Sequence, residues 1–129
     1  MNDDEMLTML IEYMEKGFLE NIIALFKQEP EFAKFIPDML RQENVGVRLG
    51  TTALVEELAG AYDQILLRAV PGLIGLLEHE NPTVRGDAAY VLGVMRAPAA
   101  REPLALLKDD DNRAVREIAA DALKEWNER

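Results

Sequence analysis

The chain has 129 residues, 49% apolar and 29% charged, the make-up of one globular domain with a real core, and no cysteine, which excludes disulfides, thiol catalysis and cysteine-ligated zinc. Acids outnumber bases 24 to 14, a net charge of -10; residues 1–60 carry 12 acids against 5 bases and residues 61–129 carry 12 against 9. Such a surface repels phosphate backbones and anionic lipid, so neither nucleic acid nor membrane is an expected partner, and a protein with a basic patch is favoured.

The opening Met1-Asn2-Asp3-Asp4-Glu5 is acidic where a signal peptide is basic, and no apolar run approaches ~18 residues, so a cytoplasmic location is expected. Asp3 or Asp4 is placed to cap a first helix running to about Lys16, with Leu7, Leu10, Ile11 and Met14 on one face and Gly17 as its end. Phe18, Ile22, Ile23, Leu25 and Phe26 mark a second helix that stops before Pro30. Pro30 opens a third, whose apolar side includes Phe32, Phe35, Ile36, Met39 and Leu40; Pro37 within it predicts a kink or a division. A polar turn through Asn44 leads into a fourth helix, Val45 to Ala59.

The spacing predicts a fifth helix from Tyr62 to about Glu78, bent or broken at Pro71. Asn81 caps a sixth that starts on Pro82 and buries Val84, Ala88, Val91, Leu92 and Met95. Pro98 begins a seventh, ending near Lys108. Asn112 caps the eighth and last, with Val115, Ala119, Ala122, Leu123 and Trp126 as its buried side. No segment alternates as a strand does.

The second half repeats itself. A shift of 31 residues lays Leu73 on Leu104, Asn81 on Asn112, Val84-Arg85 on Val115-Arg116, Ala88-Ala89 on Ala119-Ala120 and Leu92 on Leu123. A shift of 37 the other way lays Asn44 on Asn81 and Val47-Arg48 on Val84-Arg85, with Thr51-Thr52 in place of the alanine pair. Each unit is a helix, a tight polar turn and a second helix. A hairpin of this size cannot bury both apolar faces alone, so neighbours stack into one core, and the small pairs let the second helices approach.

The segments NPTVRGDAAYVLG, NRAVREIAADAL and, more loosely, NVGVRLGTTALVEEL resemble HEAT repeats, in the short form also seen in phycobilisome lyases. The resemblance covers residues about 31–129 and departs from the pattern at Arg113, where proline is expected. It implies an all-α, α-α superhelix: a short HEAT-like solenoid of antiparallel helical hairpins. The whole chain is then one domain, residues 1–29 a helical cap and residues 31–129 about three hairpins. By the same resemblance Arg48, Arg85 and Arg116 bond acidic or carbonyl groups in the adjoining unit; the other reading of these arginines is anion or acidic-peptide binding.

The remaining signals for chemistry are weak. His79 is the only histidine and sits in the turn Glu78-His79-Glu80-Asn81, where a solvated turn residue is the simpler reading than a metal ligand. Asp109-Asp110-Asp111 lacks the ligand spacing of a calcium loop and reads as an acidic turn before a helix N-terminus. Gly60 and Gly93 lie near helix ends and read as C-terminal caps, and Gly46, Gly50, Gly72, Gly75 and Gly86 as sites of close helix approach. No nucleophile–base pair or phosphate loop is present, so no catalytic, cofactor-binding or metal residue is expected, and the chain is read as a non-enzyme with no cofactor.

The second helices offer a surface instead. With Val84, Ala88, Val91 and Leu92 buried, Gly86, Asp87, Tyr90 and Val94 point away. The matching positions are Leu49, Gly50, Ala53 and Glu57 in the earlier unit, and Glu117, Ile118, Asp121 and Glu125 in the later one. The strip is acidic and apolar, and Glu57, Asp87, Tyr90 and Asp121 are its candidate contacts; Tyr90 can equally just cover apolar neighbours. The expected function is a non-catalytic protein-binding scaffold or adaptor for a protein or peptide with a basic and apolar surface. The alternatives are a lyase accessory or chaperone-like protein for a cofactor-carrying partner, and a HEAT-like DNA-repair glycosylase, which the acidity opposes.

Overall fold

The computed structural model describes residues 1–127. It is all-α; no strand occurs among the described residues. The chain divides into two compact units, Met1–Ala69 and a second that begins at Val70.

In the first unit the α-helices are α1 (Asp3–Glu15), α2 (Leu19–Gln28), α3 (Ile36–Leu40), α4 (Val45–Leu58) and α5 (Asp63–Leu66). Tighter 3-10 turns at Pro30–Phe35 and Leu67–Ala69 fill the spaces between them. Asn2, not Asp3 or Asp4, caps α1: its side chain accepts the Glu5 N–H at 2.9 Å while Glu5 reaches back to the Asn2 N–H. The reciprocal bonds satisfy two free donors at once, which a cap one residue later could not do with Glu5. Pro37 divides the third segment as its missing N–H requires, leaving 3-10 geometry before α3.

The core of this unit gathers Leu10, Ile22, Phe26, Ile36, Met39 and Leu54, all fully buried. Each such side chain contributes roughly 1.5–3 kcal/mol of transfer free energy. α1 packs on α4. Gly50 lies against the Met14 thioether there, leaving no room for a side chain. Thr51, standing where other units have alanine, is fully buried, and its hydroxyl donates to the Val47 carbonyl at 2.7 Å. Phe18 is 45% exposed and stands edge-on to Tyr13.

The second unit holds α6 (Val70–Leu76), α7 (Pro82–Met95), α8 (Arg101–Leu106) and α9 (Arg113–Asn127), with 3-10 turns at Pro98–Ala100 and Leu107–Asp109. The long fifth helix expected from the sequence is thus α5 and α6, which gives nine α-helical segments among the described residues where eight were expected. The break falls at Leu67–Ala69, so that Pro71 becomes the second residue of α6, where a missing N–H costs nothing.

Pairs α6–α7 and α8–α9 form the two hairpins, and α7 lies along α9. Gly86 faces Ile118 and Gly93 faces Ala122, so the two second helices run parallel. This corrects two expectations. Gly93 is inside α7 rather than capping it, and Gly86 is buried rather than turned outward. Ala88 and Ala89 are both buried, as is Ala119, but Ala120 is exposed. Ala122, Leu123 and Trp126 are half-buried rather than core.

Candidate functional site

The turn before each second helix is built by the same hand. Asn81 and Asn112 cap α7 and α9, their side chains accepting from Thr83 N–H (2.9 Å) and Val115 N–H (3.1 Å). Two residues earlier, His79 Nδ1 accepts the Asn81 N–H at 3.0 Å, and Asp110 Oδ1 accepts the Asn112 N–H at 2.9 Å. One turn into the helix, Arg85 Nη1 donates to the His79 carbonyl at 2.8 Å, and Arg116 Nη1 to the Asp110 carbonyl at 2.7 Å.

Arg85 then crosses to the next hairpin. Its Nε donates to Asp110 Oδ2 at 2.9 Å and its Nη2 to Asp110 Oδ1 at 3.0 Å, and Nη2 also meets Asp111 Oδ1 at 3.1 Å. The Arg85 and Asp110 side chains are 12% and 9% exposed. Hydrogen bonding by the Arg85 guanidinium holds the Asp110 carboxyl below its usual range, against the opposing effect of burial. The same bonds raise Arg85. All three guanidinium nitrogens are engaged, so Arg85 offers nothing to an outside anion. Arg48 takes the matching place on α4, half-buried.

Between α7 and α9 runs a surface groove with two hollows. One, about 180 Å³, is lined by Tyr90, Gly93, Val94, Ile118, Asp121 and Ala122, with Glu125 at its rim. The other, about 230 Å³, lies toward the capped ends, among Thr83, Gly86, Asp87, Asn112, Ala114 and Ile118. Ile118 belongs to both hollows and joins them. The glycines make the groove: with no side chain at Gly86 and Gly93 the helices come close, and the ring of Tyr90 and the flank of Ile118 stand up as walls.

Of the residues singled out from sequence, Tyr90 and Asp121 share the first hollow and Asp87 lines the second. Tyr90 is 42% exposed. Glu57 is exposed on α4, in the first unit. Gly93 and Ala122, which form the floor, were not among the expected contacts; only the partner helix reveals what a small residue there is for. Among the described residues no Lys or Arg lines either hollow.

No group of three or more His, Asp or Glu side chains among the described residues could hold a metal. No helix among them is long and apolar enough to cross a membrane.

The family model of HEAT repeats matches residues 34–124. No curated protein matches the chain. With the matched stretch covering most of its length, the chain belongs to the HEAT-repeat family, whose fold generally serves as a scaffold for protein–protein interaction.

Proposed function

We propose that this HEAT-repeat chain is a non-catalytic adaptor that docks a basic, apolar-bearing segment of a partner protein along the α7–α9 groove. One observation carries the reading: an apolar floor and walls (Gly93, Val94, Ile118, Ala122) rimmed by the exposed carboxylates Asp121 and Glu125, with no cation among the described lining residues. The net charge of -10 extends that field. Tyr90 supplies contact area at little entropic cost. Arg85, which crosses to Asp110 and Asp111, is an inter-repeat tie in this reading, and Arg116 secures the turn of its own hairpin.

The size of the hollows weighs against the cofactor-chaperone alternative. At about 180 and 230 Å³ they fall below the roughly 300–1,000 Å³ of small-molecule sites. The acidic rim weighs against a DNA glycosylase.

The test begins with capture of partners by the full chain and their identification by mass spectrometry, followed by surface plasmon resonance at two salt concentrations. Asp121→Asn should slow association, and the effect should fade as salt rises. Tyr90→Ala should instead speed dissociation, costing about 2 kcal/mol if the ring is a desolvated anchor. Unchanged rates in both variants, with helicity intact, place the binding surface elsewhere.

A further inference from the structure

We infer that the occupant of the α7–α9 groove is an amphipathic, basic α-helix carrying two apolar anchors seven residues apart. The inference rests on the docking reading above and specifies its ligand.

Two independent features select a helix. The first is the backbone chemistry of the walls. Both are α-helices, whose N–H and C=O groups beyond the capped first turns are spent within themselves. An extended peptide gains its affinity by pairing its main chain with a free sheet edge, and none exists here. Laid in this groove it would face apolar side chains with unpaired amides. A helical ligand brings its own backbone already satisfied.

The second feature is spacing. Gly93 marks the floor of one hollow and Gly86 that of the other, seven residues apart on α7. At 1.5 Å per residue the two hollows are about 10.5 Å apart. A helix running alongside covers the same distance in seven residues, two turns, which returns its side chain to the same face. An extended chain covers it in about three residues, and an odd step puts the second side chain on the opposite face. Each hollow has the size for one side chain, since a cavity of ~150 Å³ is filled by one benzene ring.

Charge completes the description. Asp121 and Glu125 lie one turn apart on α9 at the rim of the first hollow, and among the described residues neither has an ion-pair partner. Lysine or arginine flanking that anchor meets both. The shared Ile118 takes the ridge between anchors, where the ligand needs a small residue.

The probe is a set of labelled 16-residue Ala/Lys peptides with two anchors, Leu, Phe or Met, read by fluorescence anisotropy against the full chain. Members place the anchors seven or five residues apart, and each has a twin with proline between the anchors. Two groove variants at exposed positions, Ala114→Arg and Asp121→Lys, serve as blocks. The seven-spaced helical peptides should bind at least about tenfold more tightly than the five-spaced ones and the proline twins, the loss expected from unseating one anchor. Both variants should abolish that binding. If the proline twins or the five-spaced peptides bind equally well and the variants still block them, the groove stands and the helical ligand is wrong. If no peptide binds, or binding ignores both variants, the groove reading itself fails.

Discussion

Arg85 grips Asp110 with two parallel hydrogen bonds, Nε to Oδ2 at 2.9 Å and Nη2 to Oδ1 at 3.0 Å, and so ties the turn before α7 to the turn before α9. The fork geometry suits a carboxylate as no single-point cation could. Arg85→Ala leaves a nearly buried carboxylate without its cation, and a loss of roughly 3 kcal/mol is expected in urea melts at pH 7. The acid limb follows from the direction of the shift. The folded state holds the Asp110 carboxyl below its usual 3.8. Its contribution is therefore complete above that value and is lost as pH falls through the lower, folded value. Wild type should lose more stability than Asp110→Asn between pH 6 and about pH 2–3. Parallel acid profiles in the two proteins would show the pair to be energetically idle.

His79 plays for the turn before α7 the part that Asp110 plays before α9. Each accepts the N–H of the asparagine two residues on, at 3.0 and 2.9 Å. The acceptor is a lone pair in both, on the ring Nδ1 in one turn and on a carboxylate oxygen in the other. Chemically, then, an aspartate can replace the ring. His79→Asp should leave stability within about 0.5 kcal/mol of wild type, and His79→Ala should lose about 1 kcal/mol with the acceptor gone. Thermal melts of the two variants decide it: equal losses would mean that the ring contributes by packing.

The end of α7 carries a strain that a glycine would relieve. Arg96 sits at φ 50 and ψ 42, the left-handed conformation that glycine usually supplies at this position. Its Nη2 is buried with no hydrogen-bond partner among the described residues. Arg96→Gly and Arg96→Ala both remove the cation from the helix C-terminus, so their difference isolates the backbone. Arg96→Gly should be the more stable of the two by about 1 kcal/mol. If the alanine variant matches it, the strain is not real.

Much of this architecture was legible because its signals are local. Asn44, Asn81 and Asn112 cap helices through atoms two or three residues away, and the recurrence of Val-Arg on the 31-residue shift placed Arg85 and Arg116 in equivalent turns. Helical period alone put Asp87, Tyr90 and Asp121 on the side that lines the groove. What stayed hidden depends on a partner element. Ala89 and Ala120 occupy equivalent positions, yet one is buried and the other exposed, because α9 covers α7. Gly93 read as a cap since a glycine near a helix end carries the same local signal whether it turns the chain or admits a neighbour. The true terminus, Arg96, lacked the expected residue. Asn2 was passed over for acids that stand one and two places later, a distinction that only the Glu5 bond settles.

The same methyl group should have opposite effects at two glycines. A Cβ at Gly93 would lie 2.5 Å from Ala122 Cβ and 3.3 Å from Ala122 Cα, and backbone held in a helix cannot step aside. Gly93→Ala must therefore push α7 and α9 apart, at about 1–3 kcal/mol, which outweighs the roughly 1 kcal/mol that alanine gains in helix propensity. At Gly75, on the exposed side of α6, a Cβ meets nothing within 4 Å. Gly75→Ala should simply stabilise, by about 0.5–1 kcal/mol. Ala122→Gly reopens the space from the other side, so the pair Gly93→Ala with Ala122→Gly should fare better than the sum of the single changes by about 1 kcal/mol or more. Urea melts of all four variants supply the cycle. Should Gly93→Ala stabilise the protein as Gly75→Ala does, the close approach of α7 and α9 would be disproved, and with it the floor on which the groove is built.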